Sequence, residues 1–267
     1  MVRILSGYVM VLAVLGLLFA GRAGVYALVL IIGGAALWEF RQLSRHMGLL
    51  APAWLIFPAG ALFAFGGTLL PAVGIDLVLG AVLVIGLAVF LFLPGPGQAL
   101  GRWALGVAGA VYIGLPFHFY LLLYSSHSAD PLKGVAWVLF TILAVVMTDV
   151  GALLVGSRLG RNRFFSTISP RKTVEGAIGG IVLAIPVMVF GGFGVLGLSA
   201  VEAILLAILV AVSAEIGDLV ESQMKRTAGV KDSSRLIPGH GGVLDRIDSV
   251  LFPPVIVYFF ASFLHLL

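Results

Sequence analysis

The chain contains no cysteine, so disulfides, thiolate nucleophiles and Cys-ligated zinc are all excluded. Charge is scarce as well: 10% of the 267 residues are Asp, Glu, Lys or Arg, against roughly 25% in a soluble domain. The sequence shows no polar tract long enough for an appended soluble domain, no low-complexity linker and no internal repeat. The missing repeat argues against the inverted-repeat architecture of many transporters. The net charge of +4 would point to nucleic acid in a soluble chain. Here the basic residues sit in short loops between apolar runs, where they set topology and bind phosphates, so nucleic acid is not an expected partner.

What fills the chain is hydrocarbon: 61% of the residues are hydrophobic. A membrane span needs about 20 mostly apolar residues. On that measure the chain reads as an all-α, polytopic integral membrane protein. About nine transmembrane helices are expected, near residues 4–20, 24–40, 52–70, 75–94, 104–124, 134–156, 175–195, 199–220 and 249–267. The first run, Ile4 to Ala20 after Arg3, has the look of a signal peptide, but no clear small-residue cleavage site follows it, and it is read as the first span. With these spans, 14 of the 16 Lys and Arg residues fall on one side of the membrane and only Arg22 and Lys133 on the other. The positive-inside rule then places the N-terminus in the cytoplasm and the C-terminus outside.

The chain is expected to be one membrane domain with two halves. Residues 1–128 are Gly- and Ala-rich and nearly free of acidic groups, as suits scaffold helices that approach one another closely. Residues 129–267 carry the chemistry, with cytoplasmic loops at 157–174 and 221–248.

Acidic residues inside apolar helices are costly, roughly 2.5 to 3.5 kcal/mol for a mid-membrane Asp, and usually face a partner, a cavity or an ion. Asp149 in VVMTDVGALLVG, and Glu215 with Asp218 in LVAVSAEIGDLVES, are such residues. On a helix, Glu215, Asp218, Ser222 and Lys225 fall along one face. Upstream, RLGRNRFFSTISPRKTVEGAIGG (158–180) joins a basic loop to a Gly-rich helix start. A helix beginning near Thr173 would turn its free N–H groups and positive end toward the loop, a seat for phosphate beside Lys172. The bland alternative is an ordinary basic topogenic loop with a Ser-Pro turn.

The densest polar stretch is SQMKRTAGVKDSSRLIPGHGGVLDRID, Ser222 to Asp248. It supplies Lys225, Arg226, Lys231, Arg235 and Arg246 for anions, and Asp232, Asp245 and Asp248 as carboxylates. Magnesium takes oxygen ligands, typically one or two carboxylates plus substrate phosphates, and Asp218 with Asp245 could supply the protein share. His240 lies among Gly239, Gly241 and Gly242, which permit left-handed backbone and leave room for a bulky anion. As a lone loop histidine it is equally well a turn residue.

The pattern S-x-M-K-R-x4-K-D-x-S-x2-I-P-G-H-G-G-x-L-D-R-I-D over residues 222–248 resembles the C-terminal motif of the phosphatidate cytidylyltransferases, also called CDP-diacylglycerol synthases. The resemblance extends through Asp149, Gly151, Ala152 and Gly156, through Ser169, Pro170, Lys172, Thr173 and Gly176, and to the Trp38-Glu39 pair. It implies transfer of CMP from CTP to phosphatidic acid, giving CDP-diacylglycerol and pyrophosphate, by a Mg²⁺-dependent enzyme of the cell (inner) membrane, often a homodimer, with its site facing the cytoplasm. A second, monovalent cation is compatible with it. The implied catalytic residues are Lys225, Arg226, Lys231, Asp232, His240, Arg246 and Asp248. Substrate binding falls to Ser169, Lys172, Thr173, Ser222, Gly241 and Gly242. Metal ligation falls to Asp218 and Asp245, with Asp149 as a third candidate. Two competing readings are a CTP-dependent polyprenol or phytol kinase, whose alcohol acceptor needs a base, and an anion transporter.

Overall fold

The computed structural model describes residues 2–69, 74–92, 96–126 and 130–267. Among these residues the chain forms helices and no named strand. They are α1 (Val2–Phe19), α2 (Arg22–His46), α3 (Ala53–Leu69), α4 (Ile75–Phe90), α5 (Pro96–Ser125), α6 (Pro131–Leu159), α7 (Val174–Gly191), a π-helical turn (Gly192–Leu196), α8 (Ala200–Thr227), α9 (Leu244–Leu251) and α10 (Pro253–Phe263). In lipid every backbone N–H and C=O must find a partner within the protein, and a helix satisfies this within one segment. Six segments among the described residues are long and apolar enough to cross a membrane: Arg22–His46, Gly97–Ser125, Pro131–Leu159, Val174–Leu196, Ala200–Thr227 and Leu244–Phe263. Three further apolar helices, Leu5–Phe19, Ala53–Leu69 and Ile75–Phe90, are shorter. The protein is an all-helical membrane protein.

The chain divides into two compact units. One comprises Met1–Leu121 with Met224–Ile247, the other Leu122–Gln223 with Asp248–Leu267. The boundary expected at residue 128 falls outside the described residues. In the first unit, α1 packs on α2, α2 on α3 and α3 on α4. Phe63, Leu55, Val78 and Val82 centre a small apolar core there, with Trp103 and Val107 against it. In the second unit α6 packs along α7, and α10 packs on α6. The first of these pairs is close because glycine lines it. A Cβ on Gly180 would lie 2.8 Å from the Thr148 carbonyl oxygen, so no larger residue fits without separating the helices.

Several helix ends differ from the sequence expectation; α5, for one, begins at Pro96 and not near 104. The helix α2 runs on to His46, beyond the apolar run that marks its span. Likewise α8 continues past 220 through Ser222, Lys225 and Arg226, because polarity ends the apolar run but not the backbone hydrogen bonding. It stops at Gly229, whose φ is 68°. Val230 N donates to Lys225 O and Gly229 N to Arg226 O, each at 3.0 Å, a Schellman closure. The expected last span is two helices, and it begins earlier, at Leu244. Pro253 and Pro254 open α10, where proline's missing N–H costs nothing.

Candidate active site

In the second unit, α8 carries Glu215, Asp218 and Glu221 at three-residue intervals, which places them along one side of the helix. Asp248 of α9 joins them: ligand atoms of Asp218, Glu221 and Asp248 all lie within 4.8 Å of one another. Glu221 is fully buried and Asp248 nearly so. Three carboxylates at this distance, two of them out of water, repel one another unless protons or a cation neutralise them. The donor set is all oxygen, which suits a hard cation.

Next to the cluster, Lys172 is held in an ion pair with Asp218 at 2.8 Å and in a second, shorter contact with Glu215. Burial disfavours its charge, but the Asp218 and Glu215 carboxylates outweigh burial and hold its pKa above the ordinary 10.5. Ser222 Oγ donates to Asp218 Oδ1 at 3.3 Å. Ser249 Oγ donates to Asp149 Oδ2 at 3.2 Å. A cavity of about 260 Å³ opens here, lined by Asp149, Ser169, Arg171, Lys172, Thr173, Glu215 and Asp218 among others.

The loop that delivers Lys172 is closed from both ends. Thr173 caps α7 as expected, its hydroxyl accepting from Gly176 N at 3.1 Å. Glu175 accepts from Arg161 N at 3.1 Å, Asn162 N at 3.2 Å and Asn162 Nδ2 at 2.7 Å. The start of α7 therefore faces the cavity with its positive end, and Lys172 stands beside it.

In the first unit, the loop between α8 and α9 is built on buried carboxylates. Lys225 Nζ pairs with Asp245 Oδ1 at 2.7 Å. Asp245 Oδ2 accepts from Ser233 N at 2.9 Å, Ser233 Oγ at 2.9 Å and Gly242 N at 2.8 Å. Glu39 of α2 reaches the same loop, accepting from Ser233 and Ser234 and from the backbone of Val243 and Leu244. A tight turn over Ile237–Gly241 requires left-handed backbone at Gly239 (φ 78°) and Gly241 (φ 84°), and it presents His240, whose Nδ1 lies 3.0 Å from Ser6 Oγ. Arg226, Lys231, Asp232 and Arg246 are exposed around this loop.

The expected metal pair thus has two different surroundings: Asp218 stands with Glu221 and Asp248, while Asp245 is engaged by Lys225, Ser233 and Gly242. Asp245 and Asp248 share the short helix α9, as their spacing implies. Two residues of the polar network were not among the expected site residues, although the resemblance included Glu39. Glu221 was legible as the next step of the Glu215–Asp218 series. The contacts of Glu39 were not legible, since its partners lie 194 to 205 positions away.

The helices and the site define a helical membrane protein with a buried acidic cluster beside a lysine and a helix N-terminus. The chain belongs to the cytidylyltransferase family, which it matches over residues 1–264. It is 31% identical over 269 aligned positions to the phosphatidate cytidylyltransferase of Bacillus subtilis (strain 168), covering 96% of both chains. To that of Mycobacterium bovis (strain ATCC BAA-935 / AF2122/97) it is 33% identical over 213 positions, 75% of this chain and 64% of the other. To that of Helicobacter pylori (strain J99 / ATCC 700824) it is 44% identical over 133 positions, half of each chain. The resemblance read from residues 222–248 is therefore borne out across the chain.

Proposed function

We propose that the cluster of Asp218, Glu221 and Asp248 is the cation site of the reaction this chain catalyses, transfer of CMP from CTP to phosphatidic acid with release of pyrophosphate. The observation that carries this reading is the close approach of three carboxylates, one of which, Asp218, also pairs with Lys172 and lines the cavity. Mg²⁺ is the ion we assign to them; the family resemblance names Asp218 and Asp245 as its ligands, with Asp149 as a third candidate. Three carboxylates exceed the charge of one divalent ion, which leaves room for a second, monovalent cation.

A bound Mg²⁺ supplies neutralisation of the triphosphate and of the leaving pyrophosphate. The chain's own groups do the rest. Lys172, Lys225, Arg226 and Lys231 supply positive charge for the remaining phosphate oxygens. Ser169, Thr173, Ser222, Gly241 and Gly242 are the substrate-binding residues that the family resemblance assigns. Asp232, His240, Arg246 and Asp248 complete the polar set. Phosphatidic acid is a phosphate monoester with a second pKa near 6, so it is largely ionised at pH 7 and needs no general base to attack the α-phosphorus of CTP. No serine-histidine-aspartate arrangement is needed.

The polytopic reading is nine spans with the N-terminus cytoplasmic, the C-terminus outside and the site on the cytoplasmic face of the inner membrane, supported by the six long and three shorter apolar helices and by the one-sided basic loops. Acyl chains then stay in the bilayer while the head group reaches the site. A homodimer is expected from the family resemblance alone.

Purified protein given CTP, phosphatidic acid and Mg²⁺ is expected to release pyrophosphate and place cytidine label in the lipid. Label from the γ-phosphate in the lipid would instead indicate a kinase. Asp218→Asn, Glu221→Gln and Asp248→Asn are each expected to lower kcat by about 10²- to 10³-fold while the protein still inserts and melts as the parent does. Near-parental turnover of these variants at low Mg²⁺ would remove the cluster from the reaction.

A further inference from the structure

The acidic cluster and Lys172 are not the whole polar investment of this chain. Glu39 is a carboxylate with no exposed surface at all, set in α2 where its apolar run gives way to Arg41, Gln42 and Ser44. A buried charge without compensation is strongly destabilising, so its partners define what it is there to hold.

Those partners come from the two ends of one loop. At the start of the loop, Ser233 Oγ donates to Glu39 Oε2 at 3.0 Å and Ser234 Oγ to Oε1 at 2.5 Å. At its end, Val243 N donates to Oε1 at 2.8 Å and Leu244 N to Oε2 at 2.6 Å. Leu244 is the first residue of α9, so Glu39 also satisfies the opening N–H groups of that helix and meets its positive end. Each carboxylate oxygen accepts two hydrogen bonds. Gly242 shows the same fit from the other side: a Cβ there would lie 2.6 and 2.7 Å from the two Glu39 oxygens. The loop is moulded around this carboxylate.

Ser233 links Glu39 to the group beyond it. Its hydroxyl lies 3.0 Å from Glu39 Oε2 and 2.9 Å from Asp245 Oδ2, with a single proton to share between the two. Asp245 in turn holds Lys225 at 2.7 Å. Glu39, Ser233, Asp245 and Lys225 form one continuous chain of charge-assisted contacts, all in the first unit.

We propose that Glu39 is a positioning residue for CMP transfer, which clamps both ends of the Ser233–Leu244 loop and, through Ser233, fixes the carboxylate of Asp245 and with it the ammonium of Lys225. The proposal rests on the reading that this loop serves the transfer. Glu39 itself touches no substrate in this account. Its effect is on where Asp245 and Lys225 stand, and a displacement of the order of 1 Å at reacting groups costs about 10²-fold in rate.

Glu39→Gln keeps the shape but turns an NH₂ toward two converging donors. Glu39→Asp keeps the charge and shortens the reach. The purified full chain is assayed with CTP, phosphatidic acid and Mg²⁺, and its melting temperature is read in the same detergent. Expected is a fall in kcat of about 10²-fold for Glu39→Gln, as such a displacement implies, with KM for CTP moved much less and Glu39→Asp retaining more turnover than Glu39→Gln. Ser233→Ala leaves Glu39 three of its four donors. It should lower kcat with little change in melting, and its effect should not add to that of Glu39→Gln, because both act through one contact. Parental kcat in Ser233→Ala, or additive losses in the double variant, would overturn the proposal, and Ser233→Ala decides the matter if Glu39→Gln does not fold. A parent protein that makes no cytidine-labelled lipid would sink the functional reading instead, whatever the Glu39 variants do.

Discussion

Lys172 stands where the positive charge of the basic loop meets the negative charge of α8. Its side chain is 17% exposed, and its two carboxylate partners, Glu215 and Asp218, are 12% and 31% exposed, so the pair works in a medium where charge is poorly screened. Asp218 and Glu215 engage this ammonium, and on the proposed reading a phosphate of CTP competes with them for it. Lys172→Gln is therefore expected to raise KM for CTP and lower kcat by about 10²-fold, the scale for losing one charged stabilising group. The pH dependence follows from the sign of the shift. Because the folded pKa lies above 10.5, the stabilisation from Lys172 is fully present below that value and disappears only as the pH climbs through the raised one. The difference in melting temperature between the parent and Lys172→Gln should be constant through neutral pH and shrink only in strong alkali. A difference that vanished near pH 7 would mean that Lys172 is not held charged by Asp218 and Glu215.

At the scale of elements, the end of α8 sets where the Ser222–Asp248 stretch stops being helix and becomes loop. Gly229 closes it with left-handed backbone, and nothing lies within 4 Å of where its Cβ would be. Substitution there meets strain of the backbone and no clash. Gly229→Ala should cost about 1 kcal/mol, and Gly229→Asn less, since asparagine tolerates this conformation better. Thermal melts of the two variants beside the parent check this, and equal losses for Ala and Asn would refute the left-handed closure. The same element shows what the sequence could and could not reveal. The body of α8 was legible because an apolar run of span length can only be helix in lipid. Its last two turns were not, because Ser222, Lys225 and Arg226 look like loop by composition while their backbone continues to hydrogen-bond. The α7 start was legible from Thr173, whose cap is a local feature. The clamp by Glu39 was not, because nothing local to α2 announces partners some two hundred residues away. In the same way, Asp218, Asp245 and Asp248 could be named as carboxylates of the site, but a spacing cannot say which of them cluster; that depends on how α8 and α9 fold together with their loops.

For the whole molecule, the decisive property is which loops lie on which side of the membrane. The absence of cysteine makes this directly measurable, since any cysteine introduced is the single thiol in the chain. Lys231 is exposed in the loop between α8 and α9, and Arg22 is exposed at the start of α2. Between them the nine-span reading counts seven crossings, those of the second to the eighth segment, an odd number. Lys231→Cys should then react with a membrane-impermeant thiol reagent only after the cells are opened, and Arg22→Cys should react in intact cells. The reading is strict, because one segment that fails to cross reverses the relation between the two positions. The three shorter apolar helices carry the risk: Leu5–Phe19 lies before Arg22 and does not affect this count, whereas Ala53–Leu69 and Ile75–Phe90 both lie between the two positions. If both of these turned back within the bilayer, the parity would survive. Reaction of both cysteines from the same side would therefore show that an odd number of segments fails to cross. A cysteine between those two short helices, at Ile75 near the start of α4, then locates the fault, since with all spans crossing it reports from the same side as Arg22. Reaction of Lys231→Cys in intact cells would place the loop away from cytoplasmic CTP and overturn the cytoplasmic assignment of the site.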